Sequence, residues 1–137
     1  MASPDRALRP ELTAEERRRL LARGVELFDR GAFFDCHEAF EEVWRSTTPE
    51  PRDLWQGLIQ VAVGLHHATH RGRPGAARRV LARGRRRLAA LPSPCRGLDL
   101  AALLAATAPW DAWLAAGAGG PPPPRPRIDV VEPAALR

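Results

Sequence analysis

Residues 53–70 read DLWQGLIQVAVGLHHATH, and the fold follows from how that stretch is read. At about 100° per residue, Leu54, Leu58, Val61 and Leu65 share one helix face, and Trp55, Ile59 and Ala62 widen it. An apolar surface that nearly encircles a helix belongs to one surrounded by other helices. Three polar residues form a row along it: Gln56, Gln60 and His67, at i, i+4 and i+11. Buried without partners, each would cost roughly 1–3 kcal/mol. The row therefore predicts a matching polar row on a neighbouring helix. Gly57 and Gly64 stand on the other flank, where a second helix can approach closely.

Working outward, the N-terminal 12 residues read as a flexible arm. Thr13-Ala-Glu-Glu16 is a capping box that starts helix 1, which carries Leu20, Leu21, Leu27 and Phe28 and ends at Gly31. Asp35 and Glu38 have the spacing of a second box, with Phe33-Phe34 leading into helix 2. Its expected buried stripe is Phe33, Cys36, Phe40, Val43 and Trp44, and Trp44 is a structural candidate together with Gly57. Residues 47–51, TTPEP, read as a loop, with Pro51 suited to a first helical position. The central helix spans about residues 52–70. Pro74 opens helix 4, with an apolar arc of Ala77, Val80, Leu81, Gly84, Leu88 and Leu91. Arg78, Arg79, Arg83, Arg85, Arg86 and Arg87 fill its opposite arc. Asp99 caps helix 5, and Trp110 and Trp113 suggest a short sixth. Residues 117–137 form a Pro/Gly-rich tail, read as a spacer in which 128–131 can dock as an extended strip. The expectation is an all-α compact bundle of five to six helices in one domain, residues 13–116.

Charge is placed unevenly. Residues 54–98 carry 9 Arg and no acidic residue, so this block holds the whole excess of the net +5. The chain has no Lys, Asn or Tyr, a usage that partly reflects codon composition and weakens any argument from basicity alone. The arginine arc is a candidate surface for nucleic acid, but it lacks interleaved aromatics, so a solvated face is favoured. Cys36 and Cys95 stand apart with no C-x-x-C pair, which argues for a reducing compartment and against a thiolate zinc site. No uniformly apolar 18-residue run is present and the N-terminus has no signal-peptide pattern, so a cytoplasmic protein with no membrane contact is expected.

No phosphate-loop or nucleophile-elbow motif occurs. None of the four His has a Glu three residues before it, which excludes the ferritin-like di-iron pattern. The informative constellation is His37-Glu38-x-x-Glu41 with Gln56, Gln60 and His67. His37 and Glu41 lie one turn apart and can ligate a divalent metal, with His67 as third ligand and Glu38 as a candidate general base. The same side chains can instead form a hydrogen-bond network with no ligand.

FFDCHEAFEEVWR, at 33–45, followed by LWQGLIQVAVGLHH, at 54–67, resembles domain-of-unknown-function family 309, small all-helical proteins of bacteria and archaea. The resemblance covers about residues 13–104 and falls on His37, Glu38, Glu41, Trp44, Gln56, Gly57, Gln60 and His67. It implies a compact helical bundle and no established activity. Two functional expectations follow. The first is a small bundle protein with a His/Glu/Gln pocket between helices 2 and 3 that takes a divalent metal ion or a small polar ligand. The alternative is a non-enzymatic interaction module, using the arginine-rich helix 4 face on nucleic acid or exposed tryptophans on a protein. Either suits a monomer or homodimer.

Overall fold

The computed structural model describes residues 12–45 and 52–131. The TTPEP loop, the N-terminal arm before residue 12 and the last six residues lie outside the described residues. Five α-helices follow in order: α1 (Ala14–Asp29), α2 (Phe33–Arg45), α3 (Arg52–His66), α4 (Pro74–Ala89) and α5 (Leu100–Ala115). One π-helical turn, His67–Arg71, prolongs α3 and ends at Gly72 in the left-handed conformation, with φ of 61°. The described residues contain no strand, only isolated bridges at Cys95–Leu98 and Leu98–Val130. Each helix packs chiefly on its neighbours in sequence, and the α3–α4 contact is the most extensive. Among the described residues, no helix is long and apolar enough to cross a membrane.

The helix ends follow local chemistry. Thr13 Oγ1 accepts the Glu16 amide at 3.0 Å, and Glu16 Oε1 accepts the Thr13 amide at 3.0 Å. The Thr13 amide, and after it the Thr13 hydroxyl, favour the ionised form and hold the Glu16 carboxyl below its ordinary range. Gly31, at φ +79°, closes α1: the Ala32 amide reaches the Leu27 carbonyl and the Gly31 amide that of Phe28, both at 2.9 Å. This turn leaves the Ala32 carbonyl free to accept the Cys36 amide at 2.9 Å. The helix therefore begins at Phe33, and the expected N-cap at Asp35 does not form. Asp35 sits inside the first turn, where its charge faces the positive end of the helix.

Phe33, Cys36, Phe40 and Val43 make the buried stripe of α2. Trp44 is only half-buried, a correction to its expected core position. The stripe centres on spacings of three and four, which leaves Trp44 at its edge. α3 buries Leu54, Trp55, Gly57, Leu58, Val61, Ala62, Gly64 and Leu65. Its glycine flank meets α4, as the sequence expectation required. A Cβ at Gly64 would lie 2.8–2.9 Å from the Leu81 backbone and Cβ, and one at Gly84 would lie 2.7 Å from Val61 N and 2.8 Å from Gly57 O. The two backbones touch because no side chain separates them.

Asp99 caps α5, its Oδ1 accepting the Ala102 amide at 2.9 Å. The helix runs through Pro109 to Ala115, so Trp110 and Trp113 belong to α5 and no separate sixth helix forms. An interior proline removes one backbone donor and crowds the carbonyl four residues back, yet α5 continues past it. The tail does not hang clear as a spacer. Trp110 Nε1 donates to the Pro124 carbonyl at 2.9 Å, and the Ile128 amide donates to Asp29 Oδ1 at 2.8 Å. The Asp99 amide donates to the Asp129 carbonyl at 2.9 Å, with Ile128 itself 2% exposed. The expected docking of 128–131 is thus present, and it straps the end of α1 to the α4–α5 turn.

The crossing makes a graded prediction. Gly64→Ala and Gly84→Ala should each destabilise by about 1–3 kcal/mol, because the obstructing atoms are mainly backbone. Gly57→Ala should cost less, since the nearest atoms belong to the Leu88 side chain at 2.6–2.8 Å. Gly75→Ala, whose nearest neighbour is Arg79 Nη1 at 3.7 Å, should be neutral or stabilising by up to about 1 kcal/mol. Urea denaturation of the four variants checks the order. Equal midpoints for Gly64→Ala and Gly75→Ala would contradict the close crossing.

Candidate functional site

The edges of α2 and α3 enclose a cleft of about 190 Å³ lined by Glu41, Trp44, Gln56, Ile59 and Gln60. Its walls are the half-buried Trp44 and Ile59; its polar groups are one carboxylate and two amides. The Arg52 guanidinium lies over the Trp44 ring at 5.3 Å from the centroid, fixing that wall by a cation–π contact. A second groove, of about 520 Å³, runs between α1 and α2 and is lined by Glu38, Glu41, Glu42, Arg23 and Arg45 among others. Glu41 borders both.

Glu41 is held from two sides. Its Oε2 lies 3.1 Å from His37 Nε2, and its Oε1 lies 3.2 Å from Arg45 Nη2. His37 Nδ1 is 2.6 Å from the Phe34 carbonyl, which can only accept, so Nδ1 carries a hydrogen. Nε2 therefore meets Glu41 Oε2 at 3.1 Å either as the second N–H of an imidazolium or as the lone pair of a neutral ring. That is the electrostatic content of H-x-x-x-E on one helix turn.

The partner of the α3 polar row comes from the side opposite to the expected one. Arg87 of α4 donates Nε–H to Gln60 Oε1 at 3.1 Å and Nη1–H to Asp53 Oδ1 at 2.8 Å. Gln60 is thus anchored toward α4 through its Oε1, and the residue also lines the cleft that Glu41 borders. The helical wheel of α4 places Arg85 and Arg87 on its outer arc; in the structure both turn inward. Arg85 bonds Thr107 Oγ1 and the Leu104 carbonyl of α5, each at 3.1 Å. Their guanidinium forks reach interhelical acceptors that a helical wheel cannot display.

The remaining candidates separate. Glu38 is exposed and lines the α1–α2 groove, so it does not stand with Gln56 and Gln60. His37 and His67 are not among the residues lining the cleft. His67 begins the π turn, and its Nδ1 is buried with no hydrogen-bond partner among the described residues. Among those residues, no group of three or more His, Cys, Asp or Glu is arranged to hold a metal ion. His67 therefore does not complete a ligand set with His37 and Glu41 in this conformation.

One arrangement was missed in the sequence. Phe34, 49% exposed, joins histidines from two helices: its ring centre is 4.9 Å from His37 and 5.4 Å from His66. His66 stacks on His70 at 4.8 Å and lies 6.0 Å from His67. Spacing reveals His66 and His70 as neighbours, but no local signal couples them to α2. None of the four tryptophans is fully exposed: Trp55 and Trp110 are buried, and Trp44 and Trp113 half-buried. Trp55 lies in the core, Trp110 and Trp113 donate to tail carbonyls, and Trp44 walls the cleft. Burial also pushes the Cys36 and Cys95 thiols up, so neither supplies a thiolate nucleophile near neutral pH.

The family described as Domain of unknown function (DUF309) matches residues 21–80, which take in α2, α3 and the start of α4. This is the family that the two sequence motifs resemble. The chain is 40% identical over 55 residues to Uncharacterized protein YpuF of Bacillus subtilis (strain 168), an alignment covering 39% of this chain and 32% of that protein. The chain thus spans about a third of the length of the curated relative it matches. No solved structure matches significantly.

Arg87 anchors the row from behind, which gives a stability prediction. Arg87→Met keeps much of the stem but removes the donors to Gln60 and Asp53. The loss should be about 1–2 kcal/mol, discounted because Arg87 is 38% exposed in its side chain. Thermal unfolding checks it; an unchanged melting temperature would mean that Gln60 needs no anchor.

Proposed function

We propose that the α2–α3 cleft binds a small polar ligand, with Glu41 as its anchoring acceptor and Gln56 and Gln60 as amide partners. The observation that carries this reading is the lining itself. One glutamate and two glutamines line a cleft of about 190 Å³ together with the apolar Trp44 and Ile59. Small-molecule sites combine mostly apolar surface with a few placed polar groups. A ligand with a hydrogen-bond donor for Glu41 and a flat apolar face for Trp44 meets those requirements. The family-matched segment spans every residue of this lining, which supports treating the cleft as the part shared with relatives. Two free, buried thiols fit a reducing cytoplasmic setting.

A divalent cation is the second reading, favoured by one observation. With Nδ1–H donated to the Phe34 carbonyl, neutral His37 presents an Nε2 lone pair 3.1 Å from Glu41 Oε2. A metal-ligating imidazole commonly has its other nitrogen oriented in this way. Two protein ligands would leave the remaining coordination to water or to the cleft ligand, with Glu38 or an external group as base in any hydrolysis.

Both readings meet at Glu41. Protein purified without a histidine tag is assayed for bound metal, then titrated calorimetrically with zinc, manganese and iron(II), and screened against a panel of small amines and amides by Trp44 fluorescence. Glu41→Gln should weaken any bound species at least about tenfold, the worth of a charge-assisted hydrogen bond. Trp44→Phe should remove the optical signal for a cleft ligand. Ligand or metal binding that is identical in wild type and Glu41→Gln would overturn the assignment.

A further inference from the structure

A third concavity lies on the far side of the bundle, between the outer face of α4 and the end of α5. It measures about 590 Å³ and is lined by Arg78, Arg79, Arg83 and Arg86, with Leu114 and Ala115 as an apolar floor. No acidic residue lines it. We propose that this groove binds a small anion carrying two or three linked phosphates, gripped by Arg79, Arg83 and Arg86 with Arg78 at its end.

The first support is how α4 sorts its arginines. Arg85 and Arg87 turn inward to Thr107, Leu104, Gln60 and Asp53, and Arg78 pairs with Asp111 at 3.4 Å. Arg79, Arg83 and Arg86 are exposed, and none has a carboxylate partner among the described residues. They stand at i, i+4 and i+7, spanning roughly 10 Å along the helix at 1.5 Å per residue. Like charges at that spacing repel each other. A polyanion laid along the row removes the repulsion and offers each planar fork a phosphate to bond in two places.

The second support is shape. A merely solvated arginine face is convex, whereas this one forms the wall of a groove whose volume falls within the roughly 300–1,000 Å³ of small-molecule sites. The groove opens at Gly75, by the amino end of α4, where the helix dipole adds positive potential. Leu114 and Ala115 exclude water from one side and can carry the non-phosphate part of a ligand. The lining has no aromatic ring to stack a base and no amide to read a base edge, which favours a compact phosphate chain over a nucleic-acid strand.

The test is calorimetry on the full chain at 50 and 200 mM salt, using inorganic triphosphate and adenosine triphosphate as probes. Saturable binding at 50 mM that weakens severalfold at 200 mM is expected. Arg83→Ser should lower affinity about tenfold, and the triple change at Arg79, Arg83 and Arg86 should abolish binding while leaving the circular dichroism spectrum intact. Arg19→Ser removes an equal charge from the exposed face of α1 and should change affinity less than about twofold. If the triple variant fails to fold, Arg83→Ser against Arg19→Ser carries the comparison. Equal affinity for the two probes assigns recognition to the phosphate chain alone; tighter adenosine triphosphate binding adds the apolar floor. Both support the site. Absence of binding at 50 mM, equal damage from Arg19→Ser and Arg83→Ser, or capture of a short DNA or RNA strand that triphosphate does not displace would overturn it. Glu41→Gln should leave triphosphate binding unchanged, so this site and the α2–α3 cleft fail or stand separately.

Discussion

The close approach of α3 and α4 is the constraint on which the rest of the molecule depends. Gly64 lets α3 lie against the Leu81 backbone, and Gly84 lets α4 lie against Val61 N and Gly57 O. At that separation the crossing leaves room for no side chain, so the rotational setting of each helix is fixed. One consequence is that α4 presents Arg87 to the Gln60 edge of α3. Another is that α3 turns its remaining polar edge toward α2, where Glu41 and Trp44 complete a cleft. The packing of two glycine flanks thus sets the geometry of polar groups about one turn away.

The polar groups are distributed by the number of acceptors each arginine can reach. Arg87 and Arg85 each satisfy two acceptors between helices, which stabilises an interface otherwise made of small and aliphatic residues. Arg79, Arg83 and Arg86 find no such acceptors and remain on the rim of a groove. One helix therefore uses the same residue type for interhelical fastening on one side and for a positive surface on the other. Only the latter is free to meet a ligand. The acidic side of the molecule is built differently, with Glu41 restrained by His37 and Arg45 so that its carboxylate keeps one orientation at the cleft mouth.

The tail adds a constraint of its own. Asp29 at the end of α1 accepts the Ile128 amide, and Asp129 accepts the Asp99 amide beside the start of α5. Ile128 fills the space between these anchors. A segment that reads as a polyproline spacer becomes a clamp because the Pro124 carbonyl, the Ile128 amide and the Ile128 side chain find fixed partners. Trp110 and Trp113 are then occupied by the tail instead of being offered to another protein.

By itself the sequence determined the helices and most of their faces. The Thr13 box, the Gly31 stop, the Asp99 cap and the apolar set of residues 54–65 are local signals, because capping and periodicity act over one or two turns. It also determined that Gly57 and Gly64 face a close neighbour and that Gln60 must have a partner. The identity of that partner was not legible. A fork at Arg87, 27 residues away, is chosen by the rotation of α4 about its own axis, which the glycine crossing sets and no local pattern records. The same holds for the histidines. His66 and His70 are one turn apart in any helix, but their meeting with Phe34 and His37 depends on the angle between α2 and α3. Trp44 leaves the core for the cleft wall for a related reason. A residue at the edge of an apolar stripe is buried or exposed according to how far the next helix extends over it. Local chemistry specified the elements; the relative rotation and tilt of packed helices decided which polar side chains share a site.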